Sequence, residues 1–221
     1  MTPESLKRTG GWKRWVRMLL LVALVPVLAL GIFVLNLVAH HNFHVVLPGV
    51  LYRSGQMNGA ALAQTIRENG IKTIVNLRGK AVGEDWYTAE INASAVGGVQ
   101  HIDFPLSATQ ELNNEEMDKI LAILDHAPKP VLIHCKSGSD RTGLIGALYL
   151  YSVEGQSAQS AGRQLAVQYG HLPHFLWSGT VAMDKSYWKY VNTHNHPLGL
   201  AAVGSSTPAP DPSLARDPVA E

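Results

Sequence analysis

The chain of 221 residues has a single cysteine, Cys135, so an intrachain disulfide is impossible and a cysteine-based zinc knuckle is excluded. Charge is scarce as well. Only 16% of residues are Asp, Glu, Lys or Arg, and beyond residue 39 thirteen Lys/Arg stand against sixteen Asp/Glu. Without a basic face, nucleic acid is excluded as the partner. The clustered histidines (His40, His41 and His44; His171 and His174; His194 and His196) have no carboxylates at ligand spacing, so no metal and no other cofactor is expected. No internal repeat divides the chain. What remains plentiful is apolar surface, 46% of residues, enough for a sizeable core at this length.

Much of it lies in one run. Met18 to Ala39 is 22 residues without a charge, which at about 1.5 Å per helical residue matches the roughly 30 Å hydrocarbon core of a bilayer. Trp12 and Trp15 sit where interfacial aromatics anchor, and Lys7, Arg8, Lys13, Arg14 and Arg17 precede the run while only Arg53 follows closely. The positive-inside rule then holds residues 1–17 in the cytoplasm and sends the rest across the membrane, into the periplasm of a double-membrane bacterium. A cleaved secretory signal is the competing reading, although Leu37 and Ala39 make a poor cleavage site and the run is long for one.

After the span, strand-like and helix-like segments alternate. Val45–Tyr52 reads as two short strands broken at Pro48-Gly49, and Asn58 caps a helix closed by Gly70. Ile71–Leu77 and Val99–Phe104 are strands on either side of a helix over Glu84–Val96. Asn113 or Asn114 caps a helix whose Met117, Ile120, Leu121 and Leu124 share one face. Val131–Ile133 is a strand leading into the cysteine, followed by helices over Thr142–Val153, Gln156–Tyr169 and about Phe175–Val191. This order predicts an α/β fold, a mostly parallel central sheet flanked by helices and preceded by one transmembrane helix. The folded unit covers residues 43–192, and the five prolines of residues 197–221 mark a disordered tail.

The chemistry concentrates in His134-Cys135-Lys136-Ser137-Gly138-Ser139-Asp140-Arg141-Thr142-Gly143. A glycine-bearing loop between an apolar strand and an apolar helix turns successive N–H groups and the helix dipole toward one point, which suits an anion. Cys135 there is a nucleophile candidate, since such surroundings favour the thiolate. Arg141 returns over the loop with a planar fork that matches two phosphate oxygens, and Thr142 can set a hydroxyl beside the sulfur. The bland alternative, a small buried hydrophobic cysteine, does not explain these neighbours.

This segment resembles the HC-x5-R-[ST] loop of the cysteine-based protein tyrosine and dual-specificity phosphatases, and is especially similar to the compact atypical members of bacteria, plants and fungi. LYRSGQ (Leu51–Gln56) and IKTIVNLRG (Ile71–Gly79) resemble early strands of the same family. The resemblance implies that Cys135 forms a phosphocysteine, that Arg141 binds phosphate with Ser137, Gly138 and Ser139 of the loop, and that His134 braces the loop from behind. Lys136 is either a phosphate contact or a solvated charge. The family's general acid is an aspartate on another loop; Asp103, at the end of HIDFPL, is the first candidate, with Asp140 and Asp85 as rivals. Arg78 reads as a strand-end arginine near the same pocket, and Trp86-Tyr87 as core or rim. Three functions follow: a phosphatase for phosphorylated proteins, one for lipid or glycan phosphates of the cell envelope, or an inactive phosphate-binding module. A rhodanese-like sulfurtransferase also sets a cysteine between strand and helix but does not require this constellation.

Overall fold

The computed structural model describes residues 9–173 and 179–194. Five strands, β1 (His44–Leu47), β2 (Leu51–Ser54), β3 (Thr73–Asn76), β4 (Gln100–Asp103) and β5 (Val131–His134), form one sheet in the order β1-β2-β5-β3-β4. β1 pairs with β2 antiparallel; the other pairings are parallel. The sheet is therefore mostly parallel, as the alternation of strands and helices requires. β5, which delivers the cysteine, is central and buried along its whole length.

Alternation along the strands sorts side chains between two faces. Val75, Val131 and Ile133 pack with α4 (Asn114–His126), α5 (Asp140–Ser152) and α7 (Val181–Thr193). Ile74 and Leu132 pack on the other face with α2 (Gly59–Asn69) and α3 (Asp85–Gly97). The expected caps are present. Asn58 Oδ1 accepts from Ala61 N, Gly70 closes α2 with φ of 61°, and Asn113 forms a reciprocal capping box with Glu116. From Thr142 to Tyr151 every residue of α5 is buried, which explains a helix apolar on all sides.

Two elements differ from expectation. The helix expected over Gln156–Tyr169 is α6 (Ala158–Gly162) followed by two 3₁₀ turns, Arg163–Leu165 and Val167–Tyr169. The backbone is extended at Ala166 (φ −114°, ψ 157°), between the two turns, and Gln164 O takes a hydrogen bond from Arg53 Nη1 at 2.8 Å. The N-terminal helix, α1, runs Thr9–Ala39, so it continues past Met18 through Lys13, Arg14 and Arg17. Trp12–Ala39 is long and apolar enough to cross a membrane. The helix expected from Phe175 begins at Val181; residues 174–178 and the Pro-rich tail lie outside the described residues.

Candidate active site

Between β5 and α5 the chain makes a tight loop that only glycine can close. Gly138 has φ of 77°, and a Cβ there would lie 2.5 Å from Gly55 N and 2.7 Å from the Ser54 carbonyl carbon. This close approach seats the loop on the β2–α2 junction. It also turns Gly138 N–H onto Cys135 Sγ at 3.2 Å. Cys135 is buried, 1% exposed, and α5 begins directly behind it at Asp140. A backbone donor and a helix N-terminus thus meet at one sulfur.

Arg141 completes the concavity. Its Nη1 donates to Leu77 O (3.3 Å) and Leu106 O (3.2 Å), which ties the ends of β3 and β4 to the loop. Its Nε is buried without a partner, and so is Thr142 Oγ1. Buried donors left unpaired are costly unless something accepts from them, as a tetrahedral oxyanion can. One edge of the guanidinium thus holds the scaffold while the other is free for a ligand.

Several residues that hold this loop were not singled out from sequence. Arg53 on β2 is wholly buried beneath it, donating from Nη2 to Gly138 O (2.6 Å) and Ser139 O (3.3 Å) and from Nη1 to Gln164 O and Oε1. It also stacks 3.9 Å from the Tyr169 ring centroid. Burial pushes its pKa down to about 10, against the pull of Tyr169, Cys135 and Asp140, so it stays cationic at neutral pH. Glu90, on the buried face of α3, accepts from His134 Nε2 (3.0 Å), His101 Nε2 (2.7 Å) and Gln56 Nε2 (2.6 Å). Burial alone would raise its pKa, but the hydrogen bonds from His101, His134 and Gln56 outweigh that and hold it down to about 2. His134 therefore braces the loop through an ionised glutamate. A glutamate spaced with Tyr87 and Ser94 on one helical face was the available signal.

His171 supplies a third brace. Its Nδ1 lies 2.7 Å from Asp140 Oδ1 and its Nε2 2.9 Å from Asp184 Oδ2. Burial disfavours the charged ring, yet the two carboxylates prevail and lift its pKa to about 9. Asp140 is thereby fastened as the partner of an imidazolium. No spacing in the sequence announces this pairing across 31 residues.

The remaining candidates sit around the rim. Arg78 stacks 3.4 Å from the centroid of Trp86 and donates to Gln56 Oε1 at 2.8 Å. Its pKa is lowered by burial and then by Arg141, so two cations share the mouth and a dianion would relieve their repulsion. Lys136 and Ser137 are exposed. Asp103 ends β4 beside Asn76, with both oxygens taken: Oδ1 accepts from Asn76 Nδ2 (2.8 Å) and Oδ2 from Tyr87 Oη (2.5 Å). Asp85 is exposed at the start of α3.

The comparison with known proteins agrees with this geometry. Residues 44–173 match the family model described as a DSP-PTPase phosphatase fused to NAD+ kinase. The chain belongs to that family. It is a cysteine-dependent phosphatase domain of the dual-specificity type. Among curated proteins it is similar to chloroplastic NAD kinase 2 of Arabidopsis thaliana, 32% identical over 93 residues, which is 41% of this chain and 9% of that protein. The chain thus spans about a tenth of the curated relatives it matches, and the kinase name describes those whole proteins. Among solved structures, P. aeruginosa TpbA is similar with 25% identity and a TM-score of 0.51, covering 68% of this chain and 91% of its own. The PP-IP phosphatase SIW14 of S. cerevisiae shares the fold at 21% identity and a TM-score of 0.50, over 70% of this chain and 93% of its own.

Proposed function

We propose that this protein hydrolyses phosphomonoesters through a phosphocysteine at Cys135, while α1 holds it in a membrane with the phosphatase unit outside the cytoplasm. The observation that carries the mechanism is the set of unpartnered donors, Arg141 Nε and Thr142 Oγ1, around a sulfur that accepts from Gly138 N. Loop N–H groups and the free edge of Arg141 bind the phosphate oxygens. The Cys135 thiolate attacks phosphorus, the bond from phosphorus to the ester oxygen breaks, and that oxygen leaves with a proton taken from water at the open mouth. Water then attacks the phosphocysteine, the S–P bond breaks, and the thiolate returns as inorganic phosphate departs, with the Thr142 hydroxyl available to the departing sulfur.

TpbA, whose Cys-to-Ser form is seen in complex with pTyr, makes a phosphotyrosine protein one substrate class to test, beside lipid or glycan phosphates. The anchor is supported by the length and hydropathy of Trp12–Ala39, and the orientation by the five basic residues before the apolar run. The decisive experiment is Cys135→Ser with an aryl phosphate. Turnover should fall below about 1% while binding of a phosphate mimic persists, because a serine hydroxyl is not ionised at neutral pH. Residual turnover above that level would refute the phosphocysteine. Reaction of a membrane-impermeant thiol reagent with Cys135 in intact spheroplasts tests the orientation.

A further inference from the structure

The end of α1 is built into the catalytic loop's support rather than joined to it by a free tether. His41 and Asn42 take left-handed backbone angles, φ 51° and 49°, which stop the helix and turn the chain. Asn42, 2% exposed, then donates from Nδ2 both to Ser137 O of the loop (3.0 Å) and to Tyr169 O (2.9 Å), and Gly55 N donates to His41 O (2.7 Å). Leu37 reaches Gly170 so closely that a Cβ there would lie 3.2 Å from its Cδ1. This arrangement fixes the apolar helix beside the phosphate loop.

Between them lies a cleft of about 400 Å³. Its lining includes Leu30, Phe33, Val34 and Leu37 from the last turns of α1 and, facing them, Gln56, Lys136, Ser137 and Leu172, of which Lys136 and Ser137 directly follow Cys135. The apolar wall from Leu30 to Leu37 is roughly 10 Å long at about 1.5 Å per residue. The cleft therefore joins hydrocarbon side chains of α1 to the Lys136 cation and the polar groups of Gln56, Ser137 and Ser139, next to the loop that carries Cys135. A peptide would find few partners for its backbone along such a wall.

We infer that the substrate is a lipid carrying a terminal phosphomonoester, with its acyl chain against Phe33, Val34 and Leu37 and its phosphate passing Lys136 to the loop. This rests on the phosphomonoesterase reading above and names its substrate class. A tether that ends at the loop places the mouth at the bilayer surface, where such headgroups lie.

The test uses the full chain in phosphatidylcholine nanodiscs and a series of water-soluble alkyl phosphates, butyl to octyl, with an aryl phosphate as reference. Each methylene that enters the cleft should raise kcat/KM by up to about fourfold, the ratio that corresponds to about 0.8 kcal/mol per buried methylene. Val34→Trp, which fills the cleft, should flatten that dependence, with aryl phosphate turnover certifying each preparation as folded. Phosphatidic acid at about a tenth of the nanodisc lipid should be hydrolysed by the native chain and at least about tenfold more slowly, relative to the aryl phosphate, by the variant. A flat alkyl series in the native chain, an equal slope in Val34→Trp, or a phosphotyrosine peptide that gains more kcat/KM over free phosphotyrosine than octyl phosphate gains over butyl phosphate would each overturn the inference. All three leave aryl phosphate hydrolysis intact, whereas failure of the underlying phosphatase reading would abolish it.

Discussion

Replacing Arg53 by Met removes the charge under the phosphate loop while keeping much of its apolar stem. Four hydrogen bonds disappear, to Gly138 O, Ser139 O, Gln164 O and Gln164 Oε1. Hydrogen bonds from a charged group contribute about 1.5–3 kcal/mol each, roughly 6–12 kcal/mol together, and relief of the guanidinium's burial returns several of these. The carbonyls stay buried and lose their donor, so the net loss should be about 3–5 kcal/mol. For a unit of this size that lowers Tm by roughly 6–20 °C. Arg53→Lys should recover only part, because one ammonium cannot span both the loop carbonyls and Gln164. Thermal melts read the stability, and aryl phosphate kinetics below the melting range read the loop. If Gly138 and Ser139 are held in place by Arg53, kcat should fall at least tenfold in the folded Met variant. A Met variant that melts within about 2 °C of the native chain, corresponding to under about 1 kcal/mol, would refute the reasoning.

Legibility in the sequence followed the range of the forces involved. Caps and turns are local, so Asn58, Gly70 and Asn113 could be placed within a residue. The loop from His134 to Thr142 was equally visible, because an anion cradle needs its glycine, helix start and arginine at fixed short spacings. What could not be read is the set of contacts that hold the loop, because each joins distant segments: Arg53 to Gly138 across 85 residues, Glu90 to His134 across 44, Asn42 to Ser137 across 95. Gln164 is another such case, its carbonyl finding its partner, Arg53, on β2. Asn42 is the telling case. It lies just ahead of the folded unit expected from residue 43, and its side chain joins the end of α1 to the loop and to Tyr169.

The other braces make separable predictions. His171, with its pKa raised to about 9 between Asp140 and Asp184, contributes stability that is fully present below about pH 6.5 and lost as pH rises through 9, a change on the order of 3 kcal/mol; urea melts at several pH values should show this decline, and His171→Gln should flatten it. Glu90 behaves oppositely, its pKa held down to about 2, so its contribution is present above about pH 4.5 and lost as pH falls toward 2, and Glu90→Gln should remove that acid-side slope. Asp103 offers the last prediction. A general acid must present a protonated oxygen to the leaving group, yet both oxygens of Asp103 already accept, from Asn76 and from the Tyr87 hydroxyl. Asn76 also donates to Gly79 O and accepts from Arg78 N, so Asp103 steadies the turn that presents Arg78 to the mouth. Asp103→Asn should therefore lower kcat/KM by a similar factor for aryl and alkyl phosphates, since a misplaced turn affects phosphate binding regardless of what leaves. Tyr87→Phe should reproduce part of that loss. If Asp103→Asn instead costs 10²-fold or more with alkyl phosphates, little with aryl phosphates, and abolishes the alkaline limb of the pH profile, the carboxyl must leave Tyr87 during turnover and protonate the departing oxygen itself.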